Sequence, residues 1–156
     1  MRLVVAVVGV VAVVLLAAAG CDDRDGGGAG GGGSANAIGT GELTTGDPSV
    51  SLPVRVPSSG DAPTELVLDI TDLENPTRHG VDLAVDVVST DGATRPVGTV
   101  SPFPPDRPTT VRLPLDAAAR RALSAPGAAL VITVMSANKD LPLVDGIRIE
   151  VDATVR

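Results

Sequence analysis

The sequence predicts an all-β fold, an antiparallel β-sandwich (jelly-roll or immunoglobulin-like) of about seven strands with one short helix, over residues 42–156. Three observations predict it. Apolar and polar residues alternate in short runs, most plainly where Ile147, Ile149, Val151, Ala153 and Val155 interleave with Arg148, Glu150, Asp152, Thr154 and Arg156. That period of two is the mark of a strand with one buried face. Gly, Pro, Asp and Asn punctuate these runs at short intervals, as turns require. One stretch only, Ala117 to Leu123, reads as helix, behind an aspartate.

Taken in order, the chain starts with Arg2, an apolar run from Leu3 to Leu16, and then the small residues Ala17-Ala18-Ala19-Gly20 before Cys21. This is the layout of an export signal. With the cysteine directly after Ala18-Ala19-Gly20 it resembles a bacterial lipobox, with Ala18 where leucine is preferred. The resemblance implies a signal peptide over 1–20, cleavage before Cys21, and a diacylglycerol and further acyl chain (palmitate-type) on that residue. The protein would then sit on the extracytoplasmic face of the cell membrane. The alternative is an uncleaved membrane helix, since Leu3 to Gly20 is just long enough to span. Cys21 is the only cysteine, so an internal disulfide is ruled out.

Residues 21–41 contain Gly26-Gly27-Gly28-Ala29-Gly30-Gly31-Gly32-Gly33-Ser34. Such a segment has nothing to bury and reads as a flexible tether; 20 residues in that regime span about 25 Å root-mean-square. The glycine run lacks the strand, helix and lysine of a phosphate loop.

Within the domain, Val50 to Val56 reads as a strand that Pro53 assigns to an edge. Glu65 to Thr71 places Leu66, Leu68 and Ile70 on one face. Val81 to Ser89 points Val81, Leu83, Val85 and Val87 inward. Asp91-Gly92 is a tight turn, and Arg95 to Val100 returns as the hairpin partner. Ser101 to Pro108 holds four prolines and reads as an irregular loop with Phe103 tucked beneath it. Thr109 to Leu115 directs Val111, Leu113 and Leu115 to one face. Asp116 caps the helix, which Pro126-Gly127 stops. Ala128 to Met135 is almost wholly apolar and reads as a central strand covered on both sides.

Composition narrows the functions. Phe103 is the only aromatic residue, so the core must be aliphatic, and a carbohydrate platform of stacked rings is disfavoured. The net charge is −7, and loss of residues 1–20 removes Arg2 and no acid, leaving −8. With no basic run, nucleic acid is excluded as a partner. A negative surface is repelled by anionic headgroups, so residence at the membrane has to come from the lipid on Cys21.

No catalytic, cofactor-binding or metal-ligating residue is assigned. His79, the only histidine, lies in the turn-rich Asn75–Gly80 segment and reads as solvated. A Ser-His-Asp triad would have to use it, and no Gly-x-Ser-x-Gly elbow is present. Zinc or copper needs several imidazole or thiolate ligands, which the chain does not supply. Ser136-Ala137-Asn138-Lys139 has the Ser-x-x-Lys spacing of penicillin-binding enzymes, but it falls at a strand end and lacks both companion motifs. Asp69, Asp72, Glu74 and Asn75 form the densest acid cluster, without the alternation and glycine turn of a calcium loop.

The order of segments from Thr64 to Asp152 resembles the C-terminal β domain of tyrosinases and other polyphenol oxidases. The similar pieces are Leu66-Val67-Leu68-Asp69-Ile70, Val81-Asp82-Leu83-Ala84-Val85-Asp86-Val87, and Val97-Gly98-Thr99-Val100 followed by Phe103. Next come Val111-Arg112-Leu113 leading into Asp116 to Leu123, and then Ile147-Arg148-Ile149-Glu150-Val151. The resemblance implies a jelly-roll-like sandwich that packs as a lid over a copper centre. It implies no oxidase activity, because the domain with the six copper-ligating histidines is not in this chain. The expectation is a monomeric, non-enzymatic binding or accessory module, held to the membrane through Cys21 and partnered by an envelope protein. A cell-wall or carbohydrate-binding module is the alternative, and an envelope hydrolase ranks below it.

Overall fold

The computed structural model describes residues 36–55 and 62–156. The expected signal peptide, Cys21 and the tether as far as residue 35 lie outside the described residues, as does the end of the strand expected to reach Val56.

Two four-stranded antiparallel sheets enclose one core. Strands are numbered in chain order. The first sheet runs β1 (Asn36–Thr44), β8 (Arg148–Val155), β3 (Glu65–Glu74), β6 (Thr109–Pro114). The second runs β2 (Ser49–Pro53), β7 (Ala129–Ser136), β4 (Val81–Val88), β5 (Thr94–Val100). Of the two sandwich types expected, this strand order is the jelly roll, eight strands forming two Greek keys. The one helix among the described residues, α1 (Ala117–Leu123), lies in the β6–β7 connection. Among the described residues no helix is long and apolar enough to cross a membrane.

The core follows the period of two. Along β4 and β8, buried and half-buried residues alternate without a break. Leu43, Leu66, Leu68, Leu83, Val85, Leu130, Ile132, Ile149 and Val151 are wholly enclosed, each contributing about 1.5–3 kcal/mol on full burial. Asp91-Gly92 makes the expected β4–β5 turn, closed by the Ser89 N–H to the Ala93 carbonyl at 2.9 Å. Pro53 ends an edge strand, as expected. Asp116 Oδ1 accepts from the Ala119 N–H at 2.6 Å and caps α1. That hydrogen bond holds the Asp116 carboxyl below its ordinary value. Its capping is therefore present above the unfolded-state pKa and is lost as pH falls through the folded value.

Three expectations need correction. The tether is shorter than expected, because β1 occupies residues 36–44, including 36–41 of the expected tether, and makes the eighth strand of the sandwich. Its glycines look like linker but pair with β8, and one is a packing requirement. A Cβ on Gly41 would lie 2.6 Å from Val50 Cγ2, so β1 yields that space to β2. Next, β7 is central but covered on one side: Leu130, Ile132 and Val134 are buried, whereas Ala129, Val131 and Thr133 are half-buried and Met135 is exposed. The outward residues Ala129, Val131, Thr133 and Met135 lie across from Val88, Asp86, Ala84 and Asp82 of β4. Finally, Phe103 is 85% exposed rather than tucked under its loop.

Chain direction gives the sandwich two distinct ends. The β1–β2, β3–β4, β5–β6 and β7–β8 connections share one end. The β2–β3, β4–β5 and β6–β7 connections share the other, with Asn36 and Arg156.

Candidate functional site

The end that carries four connections is held together by Asn75, which closes β3 and is 4% exposed. Its Nδ2 donates to the His79 carbonyl at 2.7 Å and to the Pro105 carbonyl at 2.9 Å. Its Oδ1 accepts from the His79 N–H at 3.0 Å. One amide thus clamps the β3–β4 loop upon itself and onto the β5–β6 loop. Arg78, whose φ is 50°, adds a second tie through Nε to Asp106 Oδ2 at 2.8 Å. Across the same end, Thr45 Oγ1 donates to the Val144 carbonyl at 2.7 Å, joining the β1–β2 and β7–β8 loops. Between these ties lies an open depression of about 460 Å³, lined by Glu74, Asn75, Pro76, Arg78, Asp106 and Gly146.

His79 belongs to this clamp, which corrects its reading as a solvated loop residue. It is half-buried, and its Nε2 lies 3.0 Å from Ser136 Oγ. This brings together a serine and a histidine that the sequence places 57 residues apart. Nucleophilic catalysis would need Ser136 to be reachable and the ring oriented by a third group. Ser136 is 7% exposed, and the hydrogen bonds of the described residues put no carboxylate on His79 Nδ1. Lys139 lies beyond the end of β7, not one helical turn from Ser136. The pair is arranged as a packing contact that fixes the loop.

The acids near the end of β3 do not converge. Asp69 accepts from Thr110 Oγ1 at 2.5 Å, Asn75 is occupied by the clamp, and Asp72 and Glu74 lie 3.7 and 3.8 Å from Arg148 Nη1. Among the described residues no group of three carboxylate, histidine or cysteine side chains is placed to hold a metal ion. These acids belong instead to the outer face of the first sheet. Glu150 lies opposite both Glu42 and Asp72, and Asp152 lies opposite Asp69. Like charges directly across a ladder repel, and Arg148 offsets this by donating from Nε and Nη2 to Glu42 Oε2 at 3.0 and 2.9 Å. The hydrogen bond and charge of Glu42 raise the Arg148 pKa further above its ordinary value, so it stays cationic.

Arg148→Met should therefore lower the melting temperature most at low salt. The gap to wild type should close as sodium chloride rises, since the screening length falls from about 10 Å at 0.1 M to about 3 Å at 1 M. A gap that does not change with salt in calorimetric scans would assign the loss to packing instead.

Phe103 stands out at this same end. Leu141, on the β7–β8 loop, is 50% exposed, so two large apolar side chains lie at the end where the loops are clamped. Sequence reasoning missed this surface because it expected the one aromatic ring to be inside. No protein-family model matches the chain, and no curated protein matches it.

Proposed function

We propose that the protein is a lipid-anchored accessory module of the bacterial cell envelope, a β-sandwich held at the extracytoplasmic membrane face through Cys21 and working by protein contact rather than by catalysis. One observation carries the reading: the apolar leader ends in Ala18-Ala19-Gly20 directly before the only cysteine, and a glycine-rich segment follows. A lone cysteine in an exported chain calls for a use, and acylation supplies one. One acyl chain binds a membrane only marginally, whereas the two or three of a processed lipobox cysteine hold firmly. The clamped loop end supports contact as the activity, because rigid loops present side chains at low entropic cost. The likeness to the polyphenol oxidase C-terminal domain makes a copper oxidase of the envelope one candidate partner.

Cys21→Ser tests the anchor. Labelled palmitate should be incorporated by the wild type and not by the variant. The wild type should float with membranes, and the variant should accumulate with its leader uncleaved at this site. Palmitate on the variant, or a wild-type protein that stays unlabelled, would sink the reading.

A further inference from the structure

We propose that Phe103 is the anchor of a protein-docking epitope at the clamped loop end, received by a partner protein through a ring-sized apolar cavity with neutral or basic edges. This rests on the accessory-module reading and names its contact surface and the chemistry of its partner.

The first argument is where the ring lies. A chain with no Trp or Tyr builds its core entirely from aliphatic side chains, and its one aromatic residue is 85% exposed. The second is how the ring is held. Pro102, the residue before it, is buried. Ser101 Oγ donates to Asp82 Oδ1 at 2.6 Å. On the other side, the Pro105 carbonyl accepts from Asn75 at 2.9 Å and Asp106 meets Arg78 at 2.8 Å. A loop fixed on both flanks has met its ordering cost before any partner arrives. An aromatic side chain with two torsions then adds a large rigid contact at little further cost. Rings of this kind dominate interfaces when a pocket on the partner encloses them.

Charge and chain direction choose the occupant. Residues 36–156 carry sixteen carboxylates against ten Lys and Arg, a net −6. Asp47, Asp106, Asp140 and Asp145 lie on the loops at this end and Glu74 at the end of β3, outnumbering Arg78, Arg107 and Lys139 on the same loops. Anionic headgroups are repelled by such a surface, whereas a basic-edged protein pocket complements it. Asn36 lies at the opposite end of β1. An eight-residue strand such as β8 separates the two ends by about 26 Å. Asn36 follows Cys21 by fifteen positions, and Phe103 lies at the far end of the sandwich from Asn36. A second copy offers the wrong receptor, because the depression at its own loop end sets Glu74, Asn75, Arg78 and Asp106 around Pro76 and Gly146.

The test uses the full-length acylated protein in its own cells, with photoreactive benzoylphenylalanine at position 103 or, as a control, at the exposed Ser51 on the outer face of β2. The expected result is a protein adduct from position 103 that position 51 does not give. Once identified and purified, that protein should bind Phe103→Ala at least about tenfold more weakly than wild type. The melting temperature of the variant should stay within about 2 °C of wild type, because the ring supports no core. Adducts to lipid, adducts to a second copy, no adduct above the Ser51 control, or a smaller loss of affinity would each overturn the proposal. Membrane flotation of the same samples separates the two readings. Adduct formation by a protein that carries no lipid would end the anchor reading and leave the epitope standing.

Discussion

Asn75→Leu is expected to destabilise the domain by about 3 kcal/mol in urea unfolding, with an unchanged denaturant slope. Leucine has the same number of side-chain heavy atoms as asparagine and is the bulkier of the two, so none of this loss is a cavity. It comes from the backbone groups that the amide now satisfies: the His79 N–H, the His79 carbonyl and the Pro105 carbonyl. Each buried polar group left without a partner costs about 1–3 kcal/mol. His79 is only half-buried, so water takes over part of the loss, which keeps the total near the lower sum. Asn75→Asp sharpens the test. It preserves the acceptor for the His79 N–H but turns both donor positions into a carboxylate facing two carbonyl oxygens. At neutral pH it should be at least as damaging as the leucine. A cost below about 1 kcal/mol for the leucine variant would mean that the loops hold without the clamp.

What the sequence made legible follows from what leaves a local trace. A half-buried strand imprints its burial every second residue, so Val81 to Val87 and Ile147 to Val155 could be assigned to strands, with the correct inward face, by reading along the chain. Asp116 and Asp91-Gly92 are local as well, since the cap bonds three residues ahead and the turn closes within five. The loop end leaves no such trace. Asn75 reaches Pro105 across 30 residues, and His79 reaches Ser136 across 57. Nothing in the Asn75-Pro76-Thr77-Arg78-His79 run announces those partners. β1 was hidden for a different reason: Gly39 and Gly41 carry no hydropathy signal, although the close approach of Val50 demands the second of them. Phe103 was misplaced by applying the rule of hydrophobic residues inside to a loop whose flanks are tied down by Pro102, Asn75 and Arg78. The rule describes residues free to turn inward, and this one is held where it is.

Gly127→Ala is expected to cost about 2–3 kcal/mol, from two separable sources. Gly127 lies between α1 and β7 with a φ of 72°, a left-handed conformation that a Cβ penalises by about 1–2 kcal/mol. The added Cβ would also lie 2.6 Å from Thr90 Cγ2 in the β4–β5 turn, so that methyl has to move. Thr90→Ser removes the methyl and keeps the hydroxyl. In the Gly127→Ala background it should recover the steric share and leave the backbone share, whereas in wild type it should change little, Thr90 being exposed. A double-mutant cycle measured by urea unfolding would therefore show a coupling of about 1 kcal/mol. No coupling, with the whole loss remaining, would place the entire cost in the backbone. The glycine would then be needed for the turn into β7 alone, and the approach of the β4–β5 hairpin to the helix end would be incidental. The expected coupling makes it the residue that lets the two connections at this end of the sandwich pack against each other.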